Sequence, residues 1–376
     1  MSATLPPRPR SRAALGLTAA AARGSFELQV CRECGAVQYP PREACHRCLS
    51  VRLDWRPQTG AGDLIAETRL IHSHDDFFRE RVPIRLGLVR LDCGPTAVVF
   101  VPSTIAAAPA RVKVVPRLDK AGQGVLVAFA PEGPMTVSDP YLQEMSCEPR
   151  GRKVLVTDAT TALGAALVAE LVKAGAATVW AGHPRDPLAV TAKEVKPLQL
   201  DVTRDNSVRA AAALGAEVDI VINTAQALGE AQQEMETNYF GLLRLSQAFA
   251  PALRTGAVAW VNVLSVYALQ GFPQLETFAA SMAAAHSLSQ GLRADLLERG
   301  VRVINVFPGI VAEAGAAGSL KAAKIAPGAL ARTIVKALQD GVEDVYPGDA
   351  AQEWFARWRE NPKVLEREVS ANWRRA

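Results

Sequence analysis

The chain is poor in aromatic residues, at 6%, and has only five histidines and five methionines in 376 positions. It has no apolar run of membrane-spanning length, which excludes a transmembrane helix. Residues 13–22 are too short and too alanine-rich to be the core of a secretory leader. The expectation is therefore a soluble, cytoplasmic protein. No basic stripe interleaved with aromatics is present, and a formal charge of +4 leaves no nucleic-acid footprint. Arg8, Arg10 and Arg12 lie in or beside a proline-rich stretch and read as a solvated arm, with residues 1–10 expected to be disordered. Neither a nucleic acid nor a membrane is expected as a partner.

What is present is ordinary for a globular chain: 49% hydrophobic and 21% charged residues, with length for two or three domains. Of the six cysteines, four cluster as Cys31-x-x-Cys34 and Cys45-x-x-Cys48, while Cys93 and Cys147 stand alone. In a cytoplasmic chain, paired CxxC units read as a metal site rather than as disulfides. Four thiolates suit tetrahedral zinc and leave no open position for water, so the expected role is structural. His46, inside the second knuckle, reads as solvent-facing.

A short helix is expected over residues 11–22, stopped by Gly24. From Trp55 to about residue 138 the pattern is short strands, at 63–68, 84–91, 97–101 and 124–130, separated by Gly/Pro/Asp turns. Such a run without long helices predicts a small β-barrel. After a polar joint at 148–152 the pattern changes to alternating strands and helices. Strands are expected at 153–156, 178–181, 198–200, 220–222, 257–263 and 302–306, and helices at 162–174, 238–253 and 278–298. This alternation predicts a Rossmann-like, doubly wound parallel sheet over 152–345, and 346–376 reads as a helical tail.

Residues 11–147 resemble the acyl-CoA-associated zinc ribbon/OB-fold (DUF35) proteins. The match is carried by Leu15-Gly-Leu-Thr18, Phe26-Glu27-Leu28, Cys31-x-x-Cys-Gly35, Tyr39-Pro-Pro41, Cys45-x-x-Cys48, Trp55, Gly60-Ala-Gly62 and Leu86-Gly-Leu-Val-Arg-Leu-Asp92. The resemblance implies a thiolase-fold enzyme as partner and an acyl-CoA ligand shared with it. His72 and His74, before Asp75-Asp-Phe-Phe78, read as polar surface.

Residues 152–345 resemble a short-chain dehydrogenase/reductase whose chemistry has been removed. The family's loop Thr-Gly-x-x-x-Gly-x-Gly here reads Thr157-Asp158-Ala159-Thr160-Thr161-Ala162-Leu163-Gly164. Asp158 brings negative charge, and Ala162 a methyl, to a loop that should cradle a diphosphate. Tight NAD(P) binding is therefore not expected. Asp201-Val202, Asn223-Thr-Ala-Gln226, Asn238 and Pro308-Gly309 match further family marks. Ser265 stands where the resemblance implies the catalytic serine. Phe278 replaces the proton-donating tyrosine, and Met282 the lysine that tunes that tyrosine and holds the nicotinamide ribose. Neither replacement carries a titratable proton or a charge. Tyr239, Tyr267 and His286 read as packing residues rather than substitutes.

In the resembled family the helices equivalent to 238–253 and 278–298 pair across a two-fold axis. A second reductase-like chain, a copy or an active paralogue, is thus a further expected partner. The expected function is a non-catalytic, zinc-containing subunit of an acyl-CoA thiolase or aldolase. The alternative is an NAD(P)-dependent hydroxyacyl-CoA dehydrogenase with atypical catalytic residues.

Overall fold

The computed structural model describes residues 4–7, 11–133, 135, 139–185, 192–214, 217–249, 253, 257–311 and 324–375. Of the tail expected at 1–10, residues 1–3 and 8–10 lie outside this set. The chain divides into two compact units, Met1–Cys147 with Gln339–Val342, and Glu148–Leu338 with Glu343–Ala376. Among the described residues, no helix is long and apolar enough to cross a membrane.

In the first unit a 3-10 turn, Arg12–Ala14, leads into α1 (Leu15–Ala22), which buries Leu17, Ala20 and Ala21. Gly24 ends it in the left-handed region, at φ +70°. Strands β1 (Glu27–Cys31), β2 (Val37–Gln38) and β3 (Leu53–Pro57) form an antiparallel sheet in the order β2–β1–β3. The next five strands are β4 (Ala61–Leu70), β5 (Ile84–Leu91), β6 (Thr96–Phe100), β7 (Ala110–Leu118) and β8 (Gly124–Phe129). They close a barrel in the order β4–β5–β6–β8–β7, all pairs antiparallel except β6–β8. This closed five-stranded sheet is consistent with an OB-fold. Alternation sets its interior: Val89, Leu91, Ala97 and Val99 point inward and are buried, while Leu88 and Val98 between them are exposed. Two short helices, α2 (Asp76–Arg79) and α3 (Pro140–Gln143), flank it, and the Asp75 carboxylate caps α2 by accepting from the Phe77 and Phe78 amides.

The second unit is built on a seven-stranded sheet in the order β11–β10–β9–β12–β13–β14–β17, every pair parallel. Its strands are β9 (Lys153–Val156), β10 (Thr178–His183), β11 (Val195–Gln199), β12 (Ile220–Asn223), β13 (Ala259–Val263), β14 (Arg302–Val306) and β17 (Asp344–Val345). A separate pair, β15 (Ile310–Val311) and β16 (Lys324–Ile325), lies after β14. The helices are α4 (Ala162–Lys173), α5 (Asp205–Ala212), α6 (Ala231–Glu234), α7 (Leu242–Phe249), α8 (Glu276–Leu297) and α9 (Pro327–Asp340). Two more, α10 (Gly348–Glu360) and α11 (Pro362–Arg375), form the tail. The central strands are apolar on both faces, as helices covering both sides require. Trp260 and Phe249 are fully buried, each worth about 1.5–3 kcal/mol relative to exposure.

The expected helix at 238–253 is corrected. The helical stretch starts at Ala231, passes through a π-helical stretch at Met235–Gly241, and continues as α7. Residues 250–252 lie outside the described set. Asn238 therefore sits inside the helical run and turns its side chain back on a loop, rather than opening a helix. The 198–200 strand is longer, at Val195–Gln199, and the helix expected at 278 begins at Glu276.

Candidate functional sites: a zinc ribbon and a filled reductase cleft

Each CxxC unit of the ribbon is a tight turn. The Gly35 amide donates to the Cys31 carbonyl and the Leu49 amide to the Cys45 carbonyl, both at 3.0 Å. The four sulfur atoms lie within 4.8 Å of one another, with Cys31–Cys48 at 3.5 Å and Cys34–Cys45 at 3.6 Å. Zinc–sulfur bonds of about 2.3 Å give a tetrahedron with edges of about 3.8 Å, so one ion fits between these four thiols. Backbone N–H groups of Cys48 and Arg47 pull the Cys45 thiol down to about 6, toward the thiolate that a metal takes. Two buried glutamines brace the second knuckle. Gln29 exchanges hydrogen bonds with the backbone of Arg42, and Gln38 Oε1 accepts from the His46 amide at 3.0 Å. His46 itself is exposed and its Nδ1 lies 3.2 Å from the same Gln38 oxygen. His72 and His74 are both exposed, packed edge to face at 5.2 Å.

In the second unit the C-terminal ends of the parallel strands bring together the Thr157 loop, Asn223–Gln226, Ser265 and Pro308. Thr157 is fully buried; its hydroxyl donates to Asn223 Oδ1 at 3.0 Å and accepts from the Thr224 amide at 3.0 Å. The Asp158 carboxylate accepts from the Thr160 amide at 2.9 Å and its hydroxyl at 2.6 Å. Thr161 caps α4 by accepting from the Gly164 amide at 3.0 Å. Gly164 is needed by the fold itself, because a Cβ there would meet the Asp158 carbonyl oxygen at 2.0 Å. The loop thus keeps the glycine that its own packing requires. Ala162 is exposed on the first turn of α4. The helix N-terminus could attract an anion, but the Asp158 carboxylate already occupies donors of the loop. These residues do not fit a diphosphate as a glycine-rich loop does. Asp201 is likewise engaged locally, with the Thr203 amide and hydroxyl and with Arg204 at 3.3 Å.

The positions that the resemblance equates with the proton-donating tyrosine and its lysine hold Phe278 and Met282. Phe278 is 5% and Met282 1% exposed, and both belong to one continuous buried cluster with Val266, Tyr267, Leu275, Phe307 and Ile310. Ser265 is buried, and its hydroxyl accepts from the Tyr267 amide at 3.3 Å and donates to the Pro308 carbonyl at 3.4 Å. Asn238 is buried too. Its Nδ2 donates to the Ala227 carbonyl at 3.0 Å and to Ser281 Oγ at 2.9 Å, while Oδ1 accepts from the Ala227 amide at 2.8 Å. Both family marks survive as fold supports. Tyr267 packs against Phe272 and Trp354, and burial pushes its phenol up to about 12. His286 packs edge-on against Phe307, and burial pushes its imidazole below the usual value. Tyr239, half-buried, packs against Phe240.

Gln226, the last residue of the Asn223-Thr-Ala-Gln226 mark, reaches the Val263 and Leu264 carbonyls with its Nε2 at 2.7 and 3.2 Å. Other contributors have no sequence signature. Trp354, from α10, closes over Tyr267 and Phe272. A buried network joins Trp260, Asn262, Ser289 and Asn305. Tyr239, Leu243, Ala284, Leu288 and Leu292 line an open groove of about 760 Å³ between the two long helical stretches. Ala285 is not part of it, being 1% exposed and in the core.

Comparison with known proteins bears on both units. Residues 152–324 match the short chain dehydrogenase model, and residues 18–54 match the ChsH2, rubredoxin-like zinc ribbon domain. A short chain dehydrogenase of Monascus ruber is 32% identical over 199 residues, 45% of this chain and 66% of that protein. An uncharacterized oxidoreductase of Staphylococcus aureus is 28% identical over 177 residues, 42% of this chain and 77% of its own length. Among solved structures, a short chain dehydrogenase from Burkholderia cenocepacia in complex with NADP is 32% identical with a TM-score of 0.57. That match covers 59% of this chain and 98% of the other. A short-chain dehydrogenase from Streptomyces avermitilis, 23% identical with a TM-score of 0.50 over 60% of this chain and 98% of its own, shares the fold. With four clustered thiols in front and a parallel sheet behind, the chain joins a rubredoxin-like zinc ribbon to a short-chain dehydrogenase domain and, through the latter, belongs to the short-chain dehydrogenase family.

Proposed function

We propose that this chain is a non-catalytic, zinc-containing subunit of an acyl-CoA carbon–carbon bond enzyme of the thiolase fold. Its dehydrogenase domain serves as a docking and dimerisation scaffold. The observation that carries the reading is the burial of Phe278 and Met282 in a continuous apolar cluster. A carbonyl reduction needs a proton delivered to the nascent alkoxide, and no titratable side chain stands at those two positions. The zinc would be held by Cys31, Cys34, Cys45 and Cys48, where it supplies a cross-link and no open coordination site. The thiolase-fold partner and the shared acyl-CoA rest on the resemblance of the ribbon and barrel. The groove beside Ala284 supports a second reductase-like chain as the other partner. The test has two arms. Purified chain should give no turnover of hydroxyacyl-CoA or ketoacyl-CoA with either nicotinamide cofactor, and a thiolase-fold protein of the source organism should co-elute with it. Turnover by the unmodified chain would sink the reading.

A second reading, retained dinucleotide binding with altered catalytic residues, has one specific support. The relative from Burkholderia cenocepacia, 32% identical, is an NADP complex. β10 ends at His183, with Arg185 exposed just beyond. A cation there would favour the 2′-phosphate of NADP(H) over the 2′-hydroxyl of NAD(H). Titration calorimetry with both cofactors separates the readings.

A further inference from the structure

The two zinc knuckles make the same turn, each closed by an amide donating to the carbonyl of its first cysteine, and they differ in the residue that follows the second cysteine. After Cys34 comes Gly35 at φ +70°, and after Cys48 comes Leu49 at φ +62°. Among the described residues Leu49 is the one non-glycine with positive φ. In this conformation a Cβ crowds its own backbone, so glycine or asparagine is the unstrained choice. The leucine gains no burial in exchange. Its side chain is 78% exposed, and Val51, two residues on, is 76% exposed. The same turn therefore carries a bulky apolar pair held out in water and a backbone strain that its twin avoids. Strain kept without a packing return points to a use for the side chain.

We infer that Leu49 and Val51 form an apolar prong by which the zinc knuckle engages the thiolase-fold partner, seating in an apolar pocket rimmed by carboxylates. The inference rests on the proposed function for the identity of that partner. Charge complementarity sets the chemistry of the rim. Arg47 is exposed beside the prong with no carboxylate within ion-pair distance among the described residues, whereas Arg32 and Arg52 on the same ribbon pair with Asp54 and Glu33. The metal-clamped turn and the Gln29–Gln38 brace hold the prong rigid, so little freedom is lost on docking. A convex tip encloses no small molecule, and two aliphatic side chains bury too little to hold a membrane.

The experiment uses the full chain, zinc-loaded, with the thiolase-fold proteins of the source organism, each produced separately. Leu49→Gly and Leu49→Asn both suit the backbone angle. Each should keep the zinc, melt at or above the wild-type temperature, and bind the partner about tenfold or more weakly, as loss of an anchor residue does. Unchanged affinity in either variant overturns the inference and leaves the proposed function standing. A lower melting temperature assigns Leu49 a structural role and overturns it as well. A wild-type chain that binds none of the thiolase-fold proteins overturns both. Binding to phosphatidylcholine/phosphatidylserine vesicles that is lost in Leu49→Gly would make the prong a lipid contact and overturn the protein partner.

Discussion

Single residues decide what each unit can do. Cys45 is fully buried among the four sulfurs, and the ribbon has only small strands to hold it without the ion. Cys45→Ser should release the metal and loosen the ribbon, because ligand binding and folding are one event in such a site. Elemental analysis should find about one zinc per wild-type chain and much less in the variant. At the opposite pole stands Met282, 1% exposed among hydrocarbon. Met282→Lys should destabilise the domain by about 3–5 kcal/mol, the cost of an uncompensated buried charge. Urea denaturation reads this directly; a midpoint equal to wild type would mean that the cluster opens readily to water. Adding Phe278→Tyr should not restore turnover, since the dinucleotide loop still lacks its glycines.

At the scale of elements, α8 carries two adjacent alanines with opposite roles. Ala284 lines the groove and is half-buried, whereas Ala285 faces the core. On the proposed docking role of this face, Ala284→Arg should leave the melting temperature near wild type and abolish self-association in sedimentation. Ala285→Arg should instead unfold the domain, through overpacking and a buried charge. Periodicity located α8 to within two residues, because a long run of small and apolar residues carries a strong signal. It placed the helical stretch around Asn238 poorly. Asn238 and Glu234 both bond back to the 227–229 loop, with the Gly229 amide 2.9 Å from Glu234 Oε1, and such tertiary contacts override local caps. The CxxC spacing exposed the zinc ligands outright, since one metal demands four thiols close together. Trp354 was invisible as part of the reductase cleft because it comes from α10, far along the chain, and only folding brings it onto Tyr267. Leu49 was legible in principle, as the residue aligned with Gly35 across the repeated knuckle, but its left-handed backbone becomes plain only in three dimensions.

For the whole molecule, the ribbon holds four clustered thiols, and the dehydrogenase domain holds a seven-stranded sheet whose Asp158 and Asp201 loops are bonded within themselves. Wild-type chain should show no saturable heat with NADPH in titration calorimetry. Asp158→Gly with Ala162→Gly should gain measurable binding, because it removes a carboxylate and a methyl from the mouth of α4. Binding gained without turnover would place the defect of the cleft in two separable layers, cofactor and proton. Tight binding by the wild-type chain would show that the Asp158 carboxylate swings clear of the Thr160 donors.

The hydrocarbon fill around Phe278 and Met282 also bears on evolutionary history. Each of these side chains adds to cohesion, whereas a lysine or a phenol returned alone would meet a pocket with no partner waiting. Under the function proposed above, a lineage that took these steps gained fold stability as it lost chemistry, a trade known from other active sites. Every single-step route back crosses a less stable intermediate. On that reading the change works as a ratchet, and descendants of this chain should diversify in what they bind sooner than regain dehydrogenase chemistry.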